Sequence, residues 1–441
     1  MKYPHQPVLG ILLGFIFLAP LHVTADNKIK NTSLLALGVQ QAIIPQDKLR
    51  NKLIQDLNIR INDYPEDFEA GLLKVLFNIE AGDFETALRN IDKLIKLSPN
   101  FHLAHLIRGD ILLARTQFID GIGTNSYLKT FSQSQQHKIK QFQNEAQFRL
   151  RSYVEKIAGY RFPKQLLQLS RSIKTAIVID KSNHRLYVYK RQYNNLPPKL
   201  VDDFYISTGK KQGNKFRKGD LKTPEGVYFI TSWIPDSKLP EKYGAGAFPV
   251  NYPNELDIKQ GKTGYGIWLH GMQRSFFSRP PLDSEGCVVL SNNDLKKIQH
   301  QLVPGRTPVI ITENIDWVSK KSWFKLQQDI MASINEWRKD WQSMNVDKYL
   351  SHYSKDFFTN SHNVTSWKNR KRYLAKSKTY QKVNLSDVSL FVYPSSKFKK
   401  SEIVVVRLKQ DYKSNNFSSE MEKRLYLRKE ADKWQILYEG K

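Results

Sequence analysis

Apolar positions along the chain follow three successive periods. From about Ser33 to Leu169 they recur at helical spacing, with proline and glycine confined to a few joints. From about Ile173 to Trp317 the period falls to two. The stretches 175–180 (TAIVID) and 185–189 (RLYVY) predict two strands joined by a turn at 181–184, a hairpin. Further strands are predicted at 203–207 and 226–230, short buried ones at 267–270 and 288–290, a helix at 293–302 and a closing strand at 308–311. From about Lys320 helical spacing returns at Trp323, Ile330, Ile334, Trp337 and Trp341, followed by strands at 388–393, 402–412, 423–428 and 433–439. Helices followed by a run of antiparallel strands predict an α+β domain with a curved sheet.

The first 25 residues stand apart. Lys2 precedes an apolar run from Val8 to Leu21, too short to span a bilayer, and Val23-Thr24-Ala25 places small residues before Asp26. This predicts a cleavable secretory signal at 1–25, with an uncleaved anchor as the alternative. No cysteine stands at the cleavage site, which argues against a lipoprotein. The remainder divides into a helical region at 33–170, a β-rich domain at 173–316 and an α+β domain at 320–441. For 441 residues, three domains and a short leader are a reasonable division.

Within the helical region, Ala81-Gly82-Asp83-Phe84-Glu85-Thr86-Ala87, then Ile91, Leu94 and Pro99, resembles the second half of a tetratricopeptide unit. The pattern restarts with Ala104, Ile107 and Gly109. Such units bury their faces only by stacking. An ordinary helical bundle accounts for the same spacing. Either way, the region reads as scaffold or as a surface for a protein partner or self-association, since no catalytic residue types cluster there.

Charge narrows the choice of partner. The chain holds 69 Lys and Arg against 42 Asp and Glu, a formal +27. Such an excess suggests an anionic partner. An exported protein has little occasion to meet nucleic acid, so a cell-wall polymer or an anionic envelope lipid is the expected contact. The last domain carries 26 basic against 13 acidic residues, densest at Lys368, Arg370, Lys371, Arg372, Lys376 and Lys378. Residues 368–378 read first as a solvated helix face, with contact to an anionic polymer as the alternative.

The single cysteine rules out an intramolecular disulfide framework and any multi-cysteine metal site. No histidine spacing suggests a metal, and no cofactor is implied. Cys287 follows Ser284-Glu285-Gly286, and His270 lies seventeen residues upstream. A thiol nucleophile needs a base or a cationic partner, and imidazole supplies either. Gly286 would let the backbone approach a substrate carbonyl, with the N–H groups of Gly286 and Cys287 as oxyanion donors. A small buried cysteine and a core histidine fit the same residue types.

Three segments break that balance. Lys222-Thr223-Pro224-Glu225-Gly226-Val227-Tyr228, Leu269-His270-Gly271 and Ser284-x-Gly286-Cys287 resemble, in order and near-matching spacing, the signature motifs of the YkuD-type L,D-transpeptidase catalytic domain. The resemblance implies that Cys287 attacks a peptidoglycan stem tetrapeptide at its third residue and expels the terminal D-alanine. It implies that His270 activates the thiol and that the Gly271 carbonyl orients the imidazole. The acyl-enzyme would pass to an amine, as in a transpeptidase, or to water, as in a carboxypeptidase. Glu285 and Val289 stand where the family commonly has His or Arg, and Arg; Asn292 matches its later Asn. Arg274 and Arg279 are candidates to pair with Glu285 or to hold a substrate carboxylate, and Ser284 and Glu285 to line the substrate. These departures resemble a branch with a C-terminal nuclear-transport-factor-2-like domain, which 320–441 would supply. A periplasmic location follows for either function. The contrasting function is a non-catalytic envelope-binding or assembly factor with a degenerate central domain.

Overall fold

The computed structural model describes residues 46–117, 119, 121–124, 128–158, 162–193, 196–394 and 401–441. The leader expected at 1–25 lies outside the described residues.

Helices Gln46–Asp63, Phe68–Glu80, Phe84–Leu97, His102–Leu113 and Gln133–Ala158 build the first unit. Asp67 and Asp83 cap two of them by accepting from the N–H groups of Ala70 and Thr86. Ala87, Ile91 and Leu94 face a shared core with Leu72, Leu76, Ile107 and Leu150. Ala104, Ile107 and Gly109 lie on one helix, as the restarted pattern requires.

The helical pattern expected to reach Leu169 stops at Ala158. Phe162–Pro163 and Leu166–Gln168 are strands instead. Their partners lie far along the chain: Phe162 is opposite Val318, and Gln168 is opposite Leu390. Local spacing cannot report such pairings, so tertiary context overrides it.

The central domain holds a five-stranded sheet in the order Lys199–Tyr205, Arg185–Lys190, Thr175–Asp180, Pro308–Thr312, Gly226–Phe229. Its strands read as continuous apolar runs because both faces are buried. Ile177, Ile179, Val188 and Ile311 face the domain's own core. Ala176, Val178, Tyr189 and Ile310 face Phe391, Val405 and Tyr426 of the last domain. Burying each Ile, Val or Phe side chain among these contributes about 1.5–3 kcal/mol. A smaller sheet, Val288–Val289, Trp268–His270, Gly246–Pro249 and Ile234–Pro235, carries the candidate chemistry.

The last domain is a six-stranded sheet wrapped on helix Lys320–Gln342, with Trp323, Trp337, Tyr349 and Tyr353 buried. Its strands run longer than the apolar spacing predicts: Gln381–Val392, Ile403–Ser414 and Ser418–Glu430. The sixth strand is Leu166–Gln168, contributed from before the central domain. The central domain is therefore tied to the last one at both of its ends.

Candidate active site

Pairing brings His270 and Cys287 to one place. Trp268–His270 runs parallel to Val288–Val289, with Leu269 opposite Val288 and His270 opposite Val289. Cys287, one residue before that strand, falls beside Trp268. By alternation its side chain takes the face that carries His270.

The imidazole is buried, and its Nδ1 lies 2.5 Å from the Gly271 carbonyl. A carbonyl only accepts, so Nδ1 carries the proton and Nε2 keeps its lone pair. Tyr243 packs edge-on against the ring at 5.0 Å. Burial depresses the His270 pKa to about 4, opposed by the Gly271 bond and reinforced by the Arg279 and Lys242 charges. Burial also pushes the Cys287 thiol up. The Trp268 N–H favours the thiolate and the Glu285 carboxylate opposes it. The resting pair is thus a neutral thiol, whose Sγ lies 3.4 Å from the Gly266 carbonyl, and a neutral imidazole.

The turn before Cys287 is closed on itself. The Ser284 hydroxyl donates to the Cys287 carbonyl at 2.6 Å and accepts from the Gly286 N–H at 3.1 Å. One expectation changes accordingly. Ser284 shapes the nucleophile turn, and because its hydroxyl takes the Gly286 N–H, that group is not a free oxyanion donor. A positive φ of 125° at Gly286 demands this support, and a Cβ there would meet the Lys222 carbonyl at 2.7 Å. Lys222 opens the 222–228 motif, which lies under the turn, with Thr223 accepting from the Gly209 N–H at 2.9 Å.

Glu285 is exposed, but the expected arginine pairing is absent. Arg274 pairs with Asp236 at 2.9 Å and Arg279 with Asp283 at 2.8 Å. Asn292, by contrast, is placed directly behind the site. Its Oδ1 accepts from Ala245 and Met272, at 2.8 and 3.1 Å. Sequence spacing does not point to Lys242 and Tyr243, on the short 3-10 helix Glu241–Tyr243, or to the Gly266 carbonyl ahead of the strand Trp268–His270. Among the described residues no three His, Cys, Asp or Glu side chains converge as a metal-binding group.

A second concavity, about 570 Å³, opens in the last domain. Trp341, Tyr349, Trp367 and Tyr412 give it apolar walls; Lys371 and Lys423 bring charge. Lys371 sits 4.3 Å above the Trp367 ring, its pKa lowered to about 8 by burial. Lys423 is held by Glu439 at 2.5 Å. The basic run at 368–378 is accordingly not one uniform solvated face. Arg370, Lys371 and Lys378 line this cavity, while Arg372 pairs with Asp347 outside it.

Comparison with known proteins returns matches for the last two domains. Residues 174–311 match the model of the YkuD L,D-transpeptidase catalytic domain, and residues 329–440 that of the Cds6 C-terminal NTF2-like domain. The structure of Bdellovibrio bacteriovorus Bd1075 is similar at 30% identity, covering 64% of this chain and 98% of that one, with a TM-score of 0.56. The helical cell shape determining protein Pgp2 from Campylobacter jejuni is similar at 26% identity, covering 63% and 95%, with a TM-score of 0.54. A search of curated protein sequences finds no match.

Proposed function

Since the chain belongs to the family that joins a YkuD-type L,D-transpeptidase catalytic domain to a C-terminal NTF2-like domain, we propose that it is an exported cysteine acyltransferase acting on peptidoglycan stem tetrapeptides. The observation that carries this reading is the Nδ1 bond to Gly271, which leaves Nε2 of a neutral imidazole free as base on the Cys287 face.

In this mechanism the thiol proton passes to His270 Nε2 as Sγ bonds to the carbonyl carbon of the third residue. The C–N bond to the terminal D-alanine then breaks, and the imidazolium returns that proton to the leaving amine. Water or an amine next attacks the thioester, giving a tripeptide or a cross-link, and the thiol is restored. Because both groups rest neutral, the ion pair forms only during attack. The Cys287 N–H is the remaining candidate donor to the oxyanion.

Incubation of the mature chain with tetrapeptide muropeptides tests the reading. A tripeptide or cross-linked product that disappears in Cys287→Ala is the expected result. No product from the wild-type chain overturns it. Adding a diamino-acid acceptor separates transfer from hydrolysis.

Two observations favour the contrasting function of a binding or assembly factor. Burial and Glu285 both disfavour the thiolate, and the basic cavity offers a binding site that needs no catalysis. In either case the expected partner of Arg370, Lys371 and Lys378 is an anionic envelope polymer. Binding to sacculi should weaken with added salt and with Lys/Arg→Glu changes at 368–378. The similarity to Pgp2 extends the proposal to a part in determining cell shape, from a periplasmic location reached through the 1–25 leader.

A further inference from the structure

Neither family model reaches the helices before residue 174, yet those helices grip the loop that separates the two catalytic candidates. Phe277 places its ring 4.7 Å from Phe68 and 4.4 Å from Phe101, packed against the helical core. Phe276 lies 6.0 Å from His102. The Ser278 hydroxyl supports the buried Glu145 carboxylate, which Arg149 holds at 2.9 Å. The Arg279 carbonyl accepts from the Tyr205 hydroxyl at 3.0 Å, and the Arg149 guanidinium lies 4.1 Å over the Tyr205 ring. Consecutive residues 276–279 are therefore held by the helical unit, directly or through Arg149 and Tyr205.

The unit that does the holding is itself locked to the central domain. Glu69 takes Arg149 at 3.2 Å and Arg185 at 2.6 Å, and Arg185 also pairs with Asp203. Ordering a loop costs backbone entropy at every residue it fixes. A half-buried aromatic anchor set between two rings offsets part of that at one point. The dyad itself does not need the loop, because strand pairing keeps His270 beside Cys287.

We propose that the helical unit is a working part of the catalytic centre: it holds residues 276–279 as a wall of the substrate groove, and Phe277 is the positioning residue through which it does so. The inference rests on the catalytic reading above and adds the element that places the substrate.

The test uses the full chain. Phe277→Ala should lower kcat/KM for a tetrapeptide muropeptide at least tenfold, chiefly through KM, with iodoacetamide alkylation of Cys287 within twofold of wild type. Phe277→Leu refills most of the slot between Phe68 and Phe101 and should recover most of the loss. Unchanged kcat/KM in Phe277→Ala overturns the inference. So does a loss shared equally by turnover and alkylation, or a loss that Phe277→Leu does not relieve. An inactive wild-type chain is a separate result: it removes the catalytic reading and this inference together.

Discussion

The side-chain amide of Asn292 clasps the backbone of Met272 from both sides, donating to its carbonyl at 2.7 Å and accepting from its N–H at 3.1 Å. The same oxygen holds Ala245, so one residue fixes both loops beside His270. The approach is close enough that a Cβ at Gly244 or Gly271 would come within 2.1–2.2 Å of that oxygen.

Asn292→Ala removes these three hydrogen bonds and leaves partly buried backbone groups unpaired. A loss of about 2–4 kcal/mol in unfolding free energy is expected, with turnover falling more than tenfold. Asn292→Asp keeps the two accepted bonds but sets a carboxylate against the Met272 carbonyl, so it should fall between. Denaturant melts and tetrapeptide kinetics on the three proteins check the order.

The acid limb of kcat/KM should lie near pH 4. The free enzyme needs His270 unprotonated, and its pKa is depressed to about 4 from 6.5. Activity is therefore retained through the window in which an ordinary histidine protonates, and lost only below it. A limb at or above pH 6.5 would contradict the neutral resting pair.

Gly286→Ala should abolish turnover while the fold survives. The new Cβ meets the Lys222 carbonyl at 2.7 Å in a backbone conformation that disfavours side chains, costing about 1–3 kcal/mol. The turn can relieve this only by moving Cys287. Circular dichroism close to wild type, together with slowed alkylation of Cys287, is the expected signature.

His184 supplies a pH-dependent stability term away from the site. Burial and the Lys181 charge lower its pKa to about 4. The unfolded chain binds this proton below about 6.5 and the folded chain only below about 4. Stability from this group is thus present above pH 6.5 and lost as pH falls through that window, on the order of 2 kcal/mol by pH 4.5. His184→Asn does not titrate and suits the positive φ of 50°. Its unfolding free energy should fall less between pH 7 and 4.5 than that of the wild type; equal slopes would sink the assignment.

Local pattern recovered what neighbours in the chain determine. The hairpin Thr175–Asp180 and Arg185–Lys190 is legible because its apolar runs flank a turn. The stripe Trp323, Ile330, Ile334, Trp337 is legible because it repeats on one helix face. Helix Val364–Ala375 buries no residue fully, so its apolar positions give no clear stripe, and the cavity role of Lys371 was hidden inside a charge run. Spacing alone leaves the partners of Arg274 and Arg279 open, and folding gives them Asp236 and Asp283 in place of Glu285.

By itself the sequence determined the helical, β-rich and α+β succession, since short spacing carries it, and it singled out Cys287, His270 and Gly271 through motifs that resemble those of the YkuD-type domain. Only the tertiary structure decided that Ser284 and the Gly286 N–H close the turn on each other, that Leu166–Gln168 completes the last domain's sheet, and that Phe277 anchors in the helical unit. These depend on which surfaces meet after folding. Contacts between residues as far apart as Gln168 and Leu390 leave no period in the chain.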